Sequence, residues 1–141
     1  MQIYTLGFIF NISLDRVLLI HKISPQWQAG KINGIGGKVE EWEDPLDCIV
    51  REVKEETGLS INRDAWICMG EMGSHVWRMH VFTVIFEGGA DDAKSADKEK
   101  VEWFDARALP ANSMSNLTWL VPLAIDRIKN QEFLGFSMEY K

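Results

Sequence analysis

The sequence predicts an α/β fold in which a mixed β-sheet is sandwiched between helices, carried by a single domain over residues 1–141. Three observations predict it. Short apolar or alternating runs recur along the chain, two amphipathic helical stretches interrupt them, and 46% hydrophobic residues suffice for one core. Residues 4–10 form a compact apolar run suited to a buried strand. Residues 11–15 read as a turn and 16–20 as the returning strand of a hairpin. Residues 24–38, which hold Gly30, Asn33, Gly34, Gly36 and Gly37, read as a loop. Asp44 and Pro45 then open a helix, as cap and first-turn residue. Leu46, Ile49, Val50 and Val53 give that helix one apolar face, and Gly58 is placed to end it in a left-handed cap. Residues 66–72 and 76–86 are two further strands, and 88–100 is a charged loop expected to be mobile. A short strand over 101–104 follows, with Leu109-Pro110 closing the next turn. Residues 116–130 form a second amphipathic helix, and 133–140 an edge strand.

Composition excludes several classes. The net charge is −6 and the isoelectric point near 5.0, which argues against a nucleic-acid polymer or an anionic membrane as partner. Cys48 and Cys68 are too few for a disulfide framework, and their spacing is not that of a zinc site. The start, Met1-Gln2-Ile3-Tyr4, lacks a basic region, and its apolar run breaks at Asn11, so no signal peptide is expected. No apolar stretch approaches the roughly 20 residues that span a bilayer. A cytoplasmic setting follows as an expectation, with the protein a monomer or a homodimer.

The helix beginning at Pro45 carries an unusual second face. Glu52, Glu55 and Glu56 fall within an arc of about 100°, turned away from the Leu46/Val53 face. Like charges at these spacings repel and destabilise a helix by a few tenths of a kcal/mol per pair. A hard divalent cation reverses the balance, because magnesium prefers oxygen ligands. Taken alone, Glu52 to Glu56 is more often a solvated face, partly neutralised by Arg51 and Lys54. The context shifts the odds: Gly37 precedes Glu43, Arg51-Glu52 follows, and Glu55-Glu56 leads into Gly58-Leu59. Seven fixed positions at ordinary residue frequencies match by chance roughly once in 10⁸ starts.

Residues 37–59 resemble the Nudix box at each of its defining positions. The resemblance implies a Nudix fold and hydrolysis of a pyrophosphate linkage with Mg²⁺, or Mn²⁺ as a substitute. It implies that Glu52, Glu55, Glu56 and the carbonyl of Gly37 hold the metal, and that Glu52 or Glu56 acts as general base. Arg51 would fix the rotamer of a box glutamate, and Glu43 would add a further carboxylate. Many members use another acid from a later loop, for which Glu99 and Asp97 are the candidates. The chemistry is coherent: a water beside a divalent cation is acidified, and a carboxylate can take its proton.

Outside the box, Tyr4-Thr5-Leu6, Ala29-Gly30-Lys31 and the run Asn33 to Val39 look like stretches of animal oxidised-purine nucleoside triphosphatases, relatives of bacterial MutT. Trp119 to Pro122 and the tail Phe133-Leu134-Gly135-Phe136 are more weakly similar. The resemblance implies a substrate-binding set of Thr5, Lys22, Trp27, Asn33, Gly36, Lys38, Asn116 and Trp119. Each has a plainer reading beside it: Asn33-Gly34 is a good turn pair, Trp27 and Trp119 can be packing, and Thr5 suits a strand. The animal enzymes place two adjacent acids where this chain has Ser115-Asn116, which weakens the case for an 8-oxo-guanine preference. The leading expectation is a nucleoside triphosphate diphosphatase acting on a small-molecule nucleotide, such as 8-oxo-dGTP or another (d)NTP. The alternatives are a nucleoside-diphosphate-linked or pterin triphosphate substrate, and a non-catalytic nucleotide sensor.

Overall fold

The computed structural model describes residues 1–132 and 135–141. Among the described residues, eight strands join in one mixed sheet: β1 (Gln2–Phe10), β2 (Arg16–His21), β3 (Ile32–Asn33), β4 (Ile35–Lys38), β5 (Ile67–Gly73), β6 (Trp77–Ile85), β7 (Val101–Asp105) and β8 (Phe136–Glu139). Helices α1 (Pro45–Thr57) and α2 (Leu117–Lys129) cover its two faces. The predicted sandwich is what forms.

Alternation along β1 divides the core. Leu6, Phe8 and Phe10 point to one side and pack with Val17, Leu19 and Val81 against Leu117, Leu120, Val121 and Ala124 of α2. Ile9 points to the other, with Leu18, Ile20 and Ile35 against Ile49 and Val53 of α1. Gly7 lies on this second side, where an added Cβ would press into Ile49. α1 can therefore sit close against β1.

Two expectations, the hairpin and the edge strand, hold within narrower limits, and two are corrected. The hairpin of β1 and β2 is minimal, with Ile9↔Leu18 and Phe10↔Val17 as its paired positions. β2 instead pairs along most of its length with β7, and β1 runs parallel to β6 from end to end. The stretch read as a loop over 24–38 contains β3 and β4, and β4 pairs antiparallel with the first half of β1, Thr5 opposite Gly37 and Leu6 opposite Gly36. The glycines permit this: a Cβ on Gly36 would stand 2.7 Å from the carbonyl carbon of Thr5. The loop expected to be mobile is tied down, since Lys94 N–H donates to the Thr57 carbonyl at 2.9 Å and Ala96 N–H to that of Glu56 at 3.2 Å. Finally, the edge strand is Phe136–Glu139, parallel to β5. The readings placed on Phe133 and Leu134 lie outside the described residues.

The ends of α1 follow local chemistry. The Asp44 carboxylate accepts from Asp47 N–H at 2.8 Å, Pro45 occupies the first turn, and Gly58 turns left-handed at φ 76°. No helix among the described residues is long and apolar enough to cross a membrane.

Candidate active site

The acidic flank of α1 is organised around one guanidinium. Arg51 grips Glu43 with two bonds, Nε to Oε2 at 3.0 Å and Nη2 to Oε1 at 2.6 Å. Its Nη1 donates to Glu52 at 3.0 Å and to Glu55 at 3.2 Å, and Nη2 also reaches the Lys38 carbonyl at 3.2 Å. The Glu43 side chain is wholly shielded and that of Glu52 nearly so, whereas Glu55 is half exposed. The fork of Arg51 suits this task, because a planar guanidinium can serve several carboxylates at fixed angles. Glu43 is held below the usual carboxylate range, chiefly by its bonds from Arg51.

Glu56 is different. Arg51 does not bond it, and its Oε2 is buried with no hydrogen-bond partner. Burial, and then the charge of Glu52, push its carboxyl up to about 8. Glu52 is raised as well, by burial working against the opposing pull of Arg51. An unpartnered buried carboxylate oxygen is costly unless something positive joins it; the carboxylates of Glu52, Glu99 and Asp97 act on it, and Lys22 is the opposing charge. The set fits a hard divalent cation. Among the described residues, however, no three acidic, histidine or cysteine side chains converge on one point.

Gly37 sits beside them in β4, and the Glu52 carboxyl carbon lies 2.6 Å from where a Gly37 Cβ would be. Only hydrogen allows the strand and the carboxylate to meet there. Opposite Gly37 in β1, the buried Thr5 hydroxyl lies 3.5 Å from the Gly37 carbonyl and 3.3 Å from Cys48 Sγ. Burial pushes the Cys48 thiol up to about 12. Cys48 carried no signal in the sequence, where it reads as one more small residue on the helix.

Several expected site residues have other duties. Glu99, a candidate metal ligand, has both oxygens engaged: Oε1 takes Lys22 Nζ at 2.8 Å, and Oε2 takes the N–H groups of Ile23 at 2.7 Å and Ser24 at 3.3 Å. Lys22, expected to bind substrate, is the partner in that shielded pair. Burial works against the Glu99 charge, but Lys22 and the two N–H groups outweigh it and the carboxyl is held low. Glu99→Gln is thus expected to lower stability at pH 7 by about 2 kcal/mol. A depressed folded pKa means that this contribution is present above the ordinary carboxylate value of 4.5 and lost as pH falls below it. Thermal denaturation of both proteins should show a gap in Tm at pH 7 that closes toward pH 3.5; a gap independent of pH would assign the loss to packing.

Thr5 is buried beneath α1, because it faces inward from a central strand. Asn33 ends β3 and makes its side-chain bonds locally, accepting from Gly34 N–H at 2.8 Å and donating to Gln28 at 3.0 Å; it lies in a strand and not in the turn that Asn33-Gly34 suggests. Trp27, in the single helical turn Gln26–Gln28, is 68% exposed and stands in solvent. Trp119 packs edge-on against Phe136 with ring centroids 5.8 Å apart. Gly36 meets the backbone of β1, and Lys38 is exposed, its carbonyl serving Arg51. Asn116 precedes α2 without capping it, and its Oδ1 is buried without a partner. Ser113, which bridges to Ile32, has a buried unpartnered hydroxyl too and was not anticipated.

The NUDIX domain family model matches residues 3–120. The chain belongs to the Nudix family. An oxidized purine nucleoside triphosphate hydrolase of Danio rerio is 30% identical over 140 residues, covering 93% of this Nudix chain and 83% of that protein. A NAD-capped RNA hydrolase NudC of Pseudomonas fluorescens is 28% identical over 120 residues, 80% of this chain and 41% of that one. The chain spans less than half the length of the NudC proteins it matches. Among solved structures, the MutT protein of Bacillus halodurans superposes with a TM-score of 0.71 at 22% identity, covering 100% of this chain and 91% of that one. A Nudix hydrolase of Nitrosomonas europaea gives 0.77 at 13%, covering 99% and 78%. These likenesses establish the Nudix fold, as the box implied.

Proposed function

We propose that this Nudix chain is a pyrophosphohydrolase that cleaves a nucleoside triphosphate to a nucleoside monophosphate and pyrophosphate, with magnesium or manganese. The observation that carries the reading is Glu56, a buried carboxylate with an unpartnered oxygen, beside Glu52 on a flank that Arg51 holds together. Glu52, Glu55, Glu56 and the Gly37 carbonyl would hold the cation. Bound there, it would offset the charge between an acidic protein and a polyphosphate and acidify a neighbouring water.

The chain's own residues do the rest. Arg51 fixes Glu52 and Glu55 against their mutual repulsion, and Glu43 fixes Arg51. Glu52 and Glu56 are the two carboxylates able to accept the proton of the attacking water, and burial raises the basicity of both. The water oxygen bonds to phosphorus, the bridging P–O bond breaks, and its electron pair leaves with the departing pyrophosphate or nucleoside monophosphate. The unpartnered polar atoms of Ser113 and Asn116, near Trp119 in sequence, support recognition of a polar base edge. With Ser115-Asn116 neutral, the reading extends to purine triphosphates in general, including oxidised ones.

The test is a panel of normal and oxidised nucleoside triphosphates, assayed for pyrophosphate, orthophosphate and monophosphate with magnesium and with chelator. Equal amounts of pyrophosphate and monophosphate are expected only with the metal. Nucleotide binding by calorimetry without turnover would instead make the chain a sensor. The likeness to a NAD-capped RNA hydrolase favours a second reading, a nucleoside-diphosphate-linked substrate cleaved by the same residues. NAD⁺ in the same panel discriminates it.

A further inference from the structure

The side of β1 that faces α1 is apolar or glycine except at one place. Thr5 is 2% exposed there, although valine would fill the same volume. A hydroxyl is kept in such a position at a cost unless it is bonded, and the Thr5 hydroxyl reaches Cys48 Sγ at 3.3 Å and the Gly37 carbonyl at 3.5 Å. Cys48 Sγ in turn lies 3.5 Å from the Lys38 carbonyl and 3.7 Å from Arg51 Nη2. Arg51 Nη2 also donates to that Lys38 carbonyl, and Arg51 Nη1 to Glu52. Glu52 closes the circuit by lying directly over Gly37. A continuous chain of polar contacts thus runs from the middle of a buried strand to the acidic flank, passing through the two carbonyls of the glycine strand.

We propose that Thr5 and Cys48 are positioning residues, a polar wedge beneath α1 that fixes the carbonyls of Gly37 and Lys38 and thereby sets the affinity of the acidic flank for a divalent cation. This rests on the reading that Gly37 and the glutamates hold that cation. Each contact is long and weak on its own. Their joint effect is to aim the Gly37 carbonyl, which no side chain of its own can brace, and to keep Lys38 facing Arg51. Groups that orient a ligand without touching the ion commonly alter metal affinity by about 10- to 100-fold when removed.

The experiment measures Mn²⁺ binding by calorimetry to the metal-free full-length chain, together with KM, kcat and Tm, for wild type, Thr5→Val, Thr5→Ser and Cys48→Ala. Thr5→Val is expected to weaken Mn²⁺ binding about 10-fold while keeping its fold. Thr5→Ser, which retains the hydroxyl, should stay within about twofold of wild type, and Cys48→Ala should weaken binding in the same direction by a smaller factor. Wild-type affinity in Thr5→Val overturns the proposal, and so does an equal loss in Thr5→Ser, since that assigns the effect to the lost methyl. If Thr5→Val does not fold, Cys48→Ala against Cys48→Ser decides on the same terms. Failure of wild type itself to bind Mn²⁺, with or without nucleotide, sinks the proposed function along with the wedge; binding that ignores Thr5 and Cys48 sinks the wedge alone.

Discussion

Glu56→Gln is expected to lower kcat by about 10³-fold while leaving the metal-free protein at least as stable as wild type. The two halves of this result have one cause. Glu56 carries a buried carboxylate oxygen without a partner, so the amide keeps the volume and removes a group whose ionisation the fold opposes. What the amide cannot do is accept a proton or bind a hard cation as a carboxylate does. Glu55→Gln should fall in the same direction, although Glu55 is half exposed and retains a neutral bond to Arg51. Circular dichroism, Tm in chelator and initial rates on the best nucleotide of the panel are the measurements. Wild-type rates in the double variant would remove the acidic flank from the chemistry.

Alanine at the two neighbouring glycines should separate folding from function. At Gly36 the added Cβ meets backbone, 2.7 Å from the Thr5 carbonyl carbon and 3.0 Å from Leu6 Cα. Neither can move without breaking the pairing of β1 and β4, so Gly36→Ala is expected to cost about 3 kcal/mol and about 10 °C in Tm. At Gly37 the Cβ meets only the end of the Glu52 side chain. Glu52 can turn aside, so Gly37→Ala should fold with Tm within a few degrees of wild type. Its carboxylate would then be misplaced by about an ångström, and a fall in kcat of about 10²-fold is expected. A Gly37→Ala protein that loses stability as Gly36→Ala does would show that Glu52 is locked in place by the fold.

What was legible in the sequence was what local chemistry decides. The Asp44 cap, Pro45 and Gly58 marked α1 because each acts within one turn of its own position, and the spacing of Glu52, Glu55 and Glu56 follows from helical pitch alone. β4 was read as loop because Ile35-Gly36-Gly37-Lys38 has no alternation of its own; the backbone of β1 makes it a strand. The pairing of β2 with β7 joins residues some eighty positions apart, beyond the reach of any local pattern. Glu99 offered the right chemistry for a metal ligand, and its partner, Lys22, is equally distant along the chain. Thr5 and Cys48 were opaque for the same reason, since neither residue signals the other until strand and helix are packed.

The grip of Arg51 on Glu43, Glu52 and Glu55 bears on the proposed dication site when that site is empty. The guanidinium acts as a resident counter-ion, so the folded state does not wait for mineral supply as a zinc finger does. An arriving dication must compete with a charge already in place, and its net gain is the difference between two attractions. Such an exchange favours loose, reversible loading over permanent capture. Under the proposed function, the abundance of the free divalent cation in the surroundings, more than the fold, would then decide how many copies stand ready to work.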